Sequence, residues 1–416
     1  MKINNLIMGI TCVMAFTALA SCSDVPTYPE ADRINSGVIS ATINGETITL
    51  EPVNATLGAD FMRGFDASAC NDTAYKGTYC TASGASKDLF DILADYGYNW
   101  VRLRVWNDPA KGNIPTGGSP AGASDKATVV NQAKRAKAAG LKVLLDFHYS
   151  DYWADPAKQA IPKDWLTDGD VTNADTVAEK ISEYTKEVLQ ALNDAKTAPD
   201  MIQIGNEINS GILRHKSLSS SEVGTNATVI GTGENLIKYL ESGIAAAKNV
   251  CPNAKIMLHL ANGGADLNKL LSSFTSLKYD VIGLSWYSEW AGHKTIGDLK
   301  SRIAEYKATY GKEVVVVETN AHYNKNSDDS TIAQQTANLK MDGKIYPGIL
   351  TDSKGNIVYS VQNQANIIRA VVEVTGAAEG SGVFLWGGEY TGAWNSVFDS
   401  TGKPLASIIA LTVKGK

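Results

Sequence analysis

Asp200-Met-Ile-Gln-Ile-Gly-Asn-Glu207 is a short apolar run that ends in a polar pair. Met201, Ile202 and Ile204 have the composition of a strand, and Gly205-Asn206-Glu207 stops it. Glu313-Val-Val-Val-Val-Glu318-Thr-Asn320 repeats the plan, with an apolar strand running into a carboxylate. If both strands belong to one parallel barrel, Asn206, Glu207 and Glu318 sit at its C-terminal rim, where such barrels carry their chemistry.

Working outward, strand-like and helix-like patterns alternate from Phe61 onward. Strands are expected at Phe61–Asp66, Trp100–Trp106, Lys142–His148, the Met201 run, Ala254–His259, Val281–Tyr287, the Val314 run and Val383–Trp386. Helices are expected between them at Lys87–Tyr96, Ala127–Ala139 (closed by Gly140), Val177–Leu192, Glu234–Lys248, Leu267–Phe274, Ile296–Tyr310 and Gln364–Val374, with Leu405–Leu411 closing the chain. Eight strand–helix units over about 350 residues is the count of a (β/α)8 TIM barrel, here spanning residues 58–416. A long insertion follows strand seven, from Asn320 to about Ser360. Loops of roughly forty residues are uncommon unless functional, and this one leaves beside Glu318. Before the barrel, residues 23–57 read as a tether with a β-hairpin around Asn44-Gly45. That hairpin either seals the base of the barrel or stiffens the tether. The rival fold is an open doubly wound sheet, but no Gly-x-Gly-x-x-Gly follows the first strand.

The 416 residues are 44% hydrophobic and 20% charged, enough core for a large α/β domain and unlike a disordered chain. A net charge of −6 offers no electrostatic attraction to nucleic acid or to an anionic membrane surface. Residues 1–22 read as an export leader: Lys2, an apolar stretch to Ala20, then Leu19-Ala20-Ser21-Cys22. Its end resembles a bacterial lipobox, which implies a lipid on Cys22 and an exported protein anchored to the outer membrane, at its surface or periplasmic face. Cys70 and Cys80 lie in a loop-like segment, and export leaves both a Cys70–Cys80 disulfide and two free thiols open. No Cys or His spacing forms a zinc site.

A Glu closing one strand is ordinarily just the first polar residue outside the core. Two such residues, on strands four and seven of an eight-stranded barrel, face each other across its mouth and can straddle one glycosidic bond. Eight Trp and seventeen Tyr supply flat faces suited to stacking on sugar rings.

Asn206-Glu207 and Glu318 resemble the signature of the barrel superfamily of retaining glycosidases. Val101-Arg-Leu-Arg-Val-Trp-Asn-Asp-Pro109, Leu145-Asp-Phe-His-Tyr-Ser-Asp-Tyr-Trp-Ala-Asp-Pro156 and Gly283-Leu-Ser-Trp-Tyr287 narrow the likeness to the endo-β-1,4-galactanases of glycoside hydrolase family 53, from about Gly58 to Pro404. The resemblance implies Glu207 as acid/base and Glu318 as nucleophile, acting on β-1,4-galactan or arabinogalactan side chains without a required cofactor. Arg104, nearer the rim than Arg102, is the expected cation beside Glu318, and Tyr287 is positioned to donate its hydroxyl to the same carboxylate. Asn206 would bind the sugar 2-hydroxyl, and Trp386 would lie under the sugar at the cleavage point. Asp66, Trp106, His148 and Trp286 complete the expected substrate-binding set, with Trp153, Trp290 and Trp394 as outer positions.

The chain departs from the family at Ser285-Trp-Tyr-Ser-Glu-Trp290, where relatives carry a second Tyr and a Pro, and at Phe384-Leu-Trp-Gly-Gly-Glu-Tyr390, where they carry Trp-Glu-Pro. Bacterial relatives also hold a structural calcium. Asn326-Ser-Asp328-Asp329 and Asp399 offer oxygens, but their spacing makes a solvated acidic turn the simpler reading, and no metal is expected in the catalytic site. The expected assembly is a monomer. Three rivals remain: another retaining β-glycanase such as a mannanase or xylanase, a non-catalytic surface glycan-binding lipoprotein, and a two-lobed transport receptor.

Overall fold

The computed structural model describes residues 39–411 except 72–77, 111–122, 168–172, 214–230 and 326–330. The leader, Cys22, the tether to residue 38 and the acidic run 326–329 lie outside the described residues. Eight parallel strands close into a barrel in chain order: β3 (Met62–Asp66), β4 (Trp100–Val105), β5 (Lys142–Phe147), β6 (Met201–Ile204), β7 (Lys255–Leu260), β8 (Val281–Ser285), β9 (Glu313–Thr319) and β12 (Gly382–Leu385), which returns to pair with β3. Counted within the barrel, β6 is the fourth strand and β9 the seventh.

The period-two alternation of each strand sorts its side chains into two compartments. Val101, Leu103 and Val105 of β4 face the surrounding helices with the main core, as do Val143, Leu145 and Phe147 of β5. The opposite parity fills the barrel floor with Met62, Trp100, Leu144, Met201, Met257, Val281, Val315, Val317 and Phe384. The Phe384 ring occupies so much of that floor that a Cβ on Gly64 would stand 2.1 Å from it, which explains a glycine inside an apolar strand. Above the floor the same inward parity continues as Arg102, Asp146, Gln203 and His259, all buried. The barrel therefore changes from apolar to polar within two residues along its axis.

The outer helices begin and end where local chemistry dictates. Asp88 caps α1 (Leu89–Asp95), Asp125 caps α2 (Lys126–Ala138), and Thr295 with Asp298 forms a capping box on α7 (Ile296–Tyr310), which Gly311 closes at φ +63°. The remaining helices are α3 (Lys163–Thr167), α4 (Ala174–Asp194), α5 (Gly233–Val250), α6 (Asn268–Ser273), α8 (Ile332–Asn338) and α9 (Val361–Ala377).

Three expectations change here. The segment Leu405–Leu411 forms a 3-10 helix over Ala406–Leu411 rather than an α-helix. The described part of the insertion after β9 contains α8 and a small hairpin, β10 (Lys340–Met341) with β11 (Lys344–Ile345), and Asn338 donates to the Ser288 and Trp290 carbonyls. The N-terminal hairpin, β1 (Ile39–Ile43) with β2 (Glu46–Leu50), neither seals the base nor merely stiffens the tether. It packs on the barrel's flank against α9 and the terminal 3-10 helix, burying Ile43, Ile48 and Leu50. Gln362 is bonded to both the N–H and the carbonyl of Thr49, and Asn44 at the hairpin turn donates to Asp399. Asp399 also accepts from Thr401 and the Lys403 N–H, so its oxygens are occupied as a turn cap. Cys70, Cys80 and Cys251 are free thiols, and burial pushes the Cys70 thiol up to about 12.

Candidate active site

Strand parity alone would point Glu318 away from the site. Val315 and Val317 face the barrel floor, so strict alternation would send Glu318 out among the helices. A β-bulge prevents this. Leu284 pairs with Val316 but Ser285 pairs with Glu318, and on the other side Val383 pairs with Val316 but Leu385 with Thr319. The extra residue re-aims the carboxylate into the mouth, as bulges do near functional sites. Glu207 arrives by another irregularity. It lies beyond the end of β6, with φ 45° and ψ 54°, a left-handed conformation that a non-glycine residue adopts only when its surroundings hold it there.

Arg102 stands at the centre. Its guanidinium donates four hydrogen bonds, Nε to Gln203 Oε1 (3.1 Å), Nη1 to Asp66 Oδ2 (3.0 Å) and Glu318 Oε1 (2.6 Å), and Nη2 to Asn206 Oδ1 (2.6 Å), and Nη2 forms an ion pair with Asp146 Oδ2 (2.8 Å). Glu318 Oε2 accepts from the Tyr287 hydroxyl at 2.8 Å. Burial pushes the Glu318 carboxyl up, and the guanidinium and hydroxyl pull against it, which favours charge on this residue of the pair. Burial first, and then the negative charge of Glu318, raise Glu207 to about 8. The two carboxyls thus have opposed environments: one is supplied with a cation and a donor, and the other is disfavoured as an anion.

The expected cation was Arg104, and this is corrected to Arg102. Both project inward, but Arg102 is set one layer deeper, Cα-paired with Asp66 and Leu144, and reaches the carboxylates at the barrel axis. Arg104 instead lies over the Trp106 ring at 4.4 Å and the Trp153 ring at 4.0 Å, with Nη2 on Ser124. Trp106 and Trp286 are each 0% exposed, so neither presents a face to a substrate. Trp286 belongs to the apolar core, where its outward parity puts it, and Trp106 donates Nε1–H to His148 Nδ1 from behind Arg104. His148 has both ring nitrogens engaged, Nδ1 also accepting from Ala154 N–H and Nε2 meeting Asp146 at 3.1 Å. Asp66 is held by Arg102 and the Ser68 N–H. These residues hold the site's shape from beneath.

The residues left facing the opening are Glu207, Asn206, Tyr287, Trp153 and Trp386. Trp386 meets Trp153 at 6.1 Å, Tyr287 at 6.3 Å and Tyr390 at 5.9 Å, forming an aromatic wall. Asn206 Nδ2 gives one hydrogen to the Ala154 carbonyl at 2.7 Å and keeps a second. Further out, Trp290 is 59% exposed, and Trp394 meets the His322 ring at 3.9 Å with the planes tilted by 50°. Asp146, Gln203, His259 and Ser285 complete the buried network and were not singled out from sequence. The available signal was a polar residue of inward parity within an apolar strand. Among the described residues no group of three His, Cys, Asp or Glu side chains is placed to hold a metal ion.

A closed parallel barrel with two carboxylates of opposed character at its C-terminal mouth, backed by an aromatic wall, defines a glycoside hydrolase. The comparisons narrow the class. The model of glycosyl hydrolase family 53 matches residues 62–409, and the chain belongs to that family. It is 32% identical over 338 residues to an endo-beta-1,4-galactanase of Bacillus subtilis, covering 79% of this chain and 70% of that one. It is 30% identical over 331 residues to an arabinogalactan endo-beta-1,4-galactanase of Cellvibrio japonicus, covering 78% and 80%. Among solved structures, a GH53 catalytic domain from Ignisphaera aggregans superposes with a TM-score of 0.71 at 30% identity, covering 89% of this chain and all of that one. A fungal beta-1,4-galactanase gives 0.65 at 28%, covering 84% and 98%.

Proposed function

We propose that this protein is a retaining endo-β-1,4-galactanase that cuts galactan or arabinogalactan side chains. Glu318 attacks the anomeric carbon while Glu207 gives its proton to the departing glycosidic oxygen. The glycosyl ester that forms removes the charge on Glu318. Glu207 then falls in pKa and takes a proton from the water that releases the sugar. Asn206 binds the 2-hydroxyl through its remaining amide hydrogen, and Trp386 lies under the ring at the cleavage point.

The observation that carries this reading is the opposed surroundings of the two carboxyls: Arg102 and Tyr287 on Glu318, burial and a neighbouring anion on Glu207. A module that only bound glycans would have no need of that division. The substrate comes from the relatives' galactanase activity. The test is digestion of galactan, mannan and xylan followed by NMR, which reports substrate and anomeric outcome together. Release from galactan with a β-configured first product is expected and should vanish in Glu318→Ala, whereas inactivity on galactan, or an α-configured first product, rejects the proposal.

The same proposal places the enzyme outside the cytoplasm as a monomer, tethered by a lipid on Cys22. Lys2, the apolar stretch and Leu19-Ala20-Ser21-Cys22 support it. Cys22→Ala should move the protein from the membrane to the soluble fraction.

A further inference from the structure

Burial and the Glu318 charge favour a proton on Glu207, and that proton also needs a hydrogen-bond acceptor. Ser285, the last residue of β8, has its Oγ 2.6 Å from Glu207 Oε1 and 2.8 Å from His259 Nε2. His259 in β7 is fully buried, and its Nδ1 lies 2.8 Å from Asn206 Oδ1. The hydrogens along this line follow from its far end. Asn206 is oriented from both sides, since Oδ1 accepts from Arg102 and Nδ2 donates to the Ala154 carbonyl. An oxygen therefore faces His259 Nδ1 at its shortest contact, which favours the tautomer with the hydrogen on Nδ1 over the longer approaches of two donors. The other contacts of Nδ1 are longer, Gln203 Nε2 at 3.2 Å and Glu207 N–H at 3.4 Å, and Gln203 Nε2 has Asp146 Oδ1 at 2.6 Å. Burial, followed by the Arg102 charge, keeps His259 well below its ordinary range, so the ring is neutral and Nε2 is bare. Ser285 has one hydrogen. Given to Nε2, it leaves Oγ facing Glu207 as an acceptor.

We propose that Ser285 and His259 are positioning residues that stabilise the protonated form of Glu207 through one directed chain: Glu207 O–H to Ser285 Oγ, Ser285 O–H to His259 Nε2, His259 Nδ1–H to Asn206 Oδ1. No proton crosses the chain. When Glu207 gives its proton to the leaving group, His259 Nε2 retains the Ser285 hydrogen, so the new carboxylate faces an oxygen lone pair and not a donor. Recovery of the proton from water restores every bond. The titratable and charged groups around Glu207 are Glu318, Asp155 and Arg102, and those around His259 are Arg102, Asp146 and His148. Asn206 is thereby tied to the proton state of its neighbour as well as to the sugar.

The inference rests on Glu207 being the acid/base, and it has a sign. If Ser285 only donated to a Glu207 carboxylate, removing it would destabilise the anion and move the alkaline limb of kcat/KM upward. If Ser285 accepts from protonated Glu207, removing it moves that limb downward. The experiment is the pH dependence of kcat/KM on galactan for the full chain and for Ser285→Ala, Ser285→Thr, His259→Phe and the Ser285→Ala/His259→Phe double variant. The limb should fall by about one pH unit in Ser285→Ala, an ordinary net hydrogen bond, and return in Ser285→Thr. His259→Phe should lower it as well, which keeps the test intact if Ser285→Ala does not fold, and the double variant should go no further than either. An unmoved or rising limb overturns the inference. Glu207→Gln measured alongside separates the two claims: retained hydrolysis of galactan by that variant sinks the acid/base assignment itself, whatever the limb does.

Discussion

Arg102→Lys keeps the charge in the barrel and removes only the fork. Arg102 makes five polar contacts, four hydrogen bonds and an ion pair with Asp146, and three of the partners are carboxylates. An ammonium has three donors on one atom and cannot span Asp146, Asp66 and Glu318 together. At least two of the five contacts must be lost. Hydrogen bonds to charged groups are worth about 1.5–3 kcal/mol each, so the loss is roughly 3–6 kcal/mol, matching the ~3–5 kcal/mol seen when a buried pair is broken from one side. For a barrel of this size that corresponds to a fall of about 5 °C in Tm.

The kinetic consequence is separate from the stability loss. With the Nη1 contact gone, burial acts on Glu318 with less opposition, its pKa rises, and the acid limb of kcat/KM moves to higher pH. The alkaline limb belongs to Glu207 and stays near 8, so the active window narrows from below. Thermal unfolding and a pH profile on the same preparation check both halves. A variant with unchanged Tm and an unmoved acid limb would refute the reasoning, because it would mean that Arg102 neither satisfies the buried carboxylates nor sets the charge on Glu318.

Tyr287→Phe removes the other donor to Glu318, so the acid limb should rise and kcat fall about tenfold, with Tm changing little; an unchanged profile counts against the hydroxyl's role. Glu207 is raised from 4.5 to about 8 on folding, so its protonation favours the folded state: that stability is complete below pH 4.5 and is lost as pH rises through 8. Glu207→Gln, which cannot ionise, should therefore have a higher Tm than the parent above pH 8 and a similar one at pH 5. Gly64→Ala sets a methyl 2.1 Å from the Phe384 ring and should cost about 1–3 kcal/mol in urea unfolding with no change in pH profile.

Much of the fold was legible because each barrel strand carries its own parity. Trp100, Arg102 and Arg104 share one face, Val101, Leu103 and Val105 the other, and that contrast distinguishes a strand sheathed by helices from a random apolar run. One helix end was read from its chemistry, Gly140 after Ala139, whereas the ends marked by Asp125, Thr295 and Gly311 emerged with the structure. The hairpin's location was not, since Gln362 and Asp399, which dock it, are far away in sequence. Trp286 misled because an aromatic beside Tyr287 looks like a sugar platform, although its parity is that of Leu284: Ser285 and Tyr287 face the mouth, and Trp286 faces the core.

The catalytic pair was legible as residue type and illegible as geometry. Glu207 and Glu318 could be read from strand ends, yet both reach the mouth by leaving regular structure. Glu207 does so through a left-handed backbone, and Glu318 through a bulge that breaks the register with both neighbouring strands. Had Glu318 followed the alternation of Val315 and Val317, the carboxylate would be buried against helices with no cation near it. The deep placement of Arg102 belongs to the same problem. A rim-level arginine such as Arg104 splays onto aromatic rings, whereas one set a layer lower has its head surrounded on the barrel axis by Asp66, Asp146, Asn206 and Glu318. Depth along the axis is a property of the closed barrel, set by the stagger of eight strands, and no single strand carries it. Local pattern therefore names the chemistry, and closure of the barrel decides which arginine performs it.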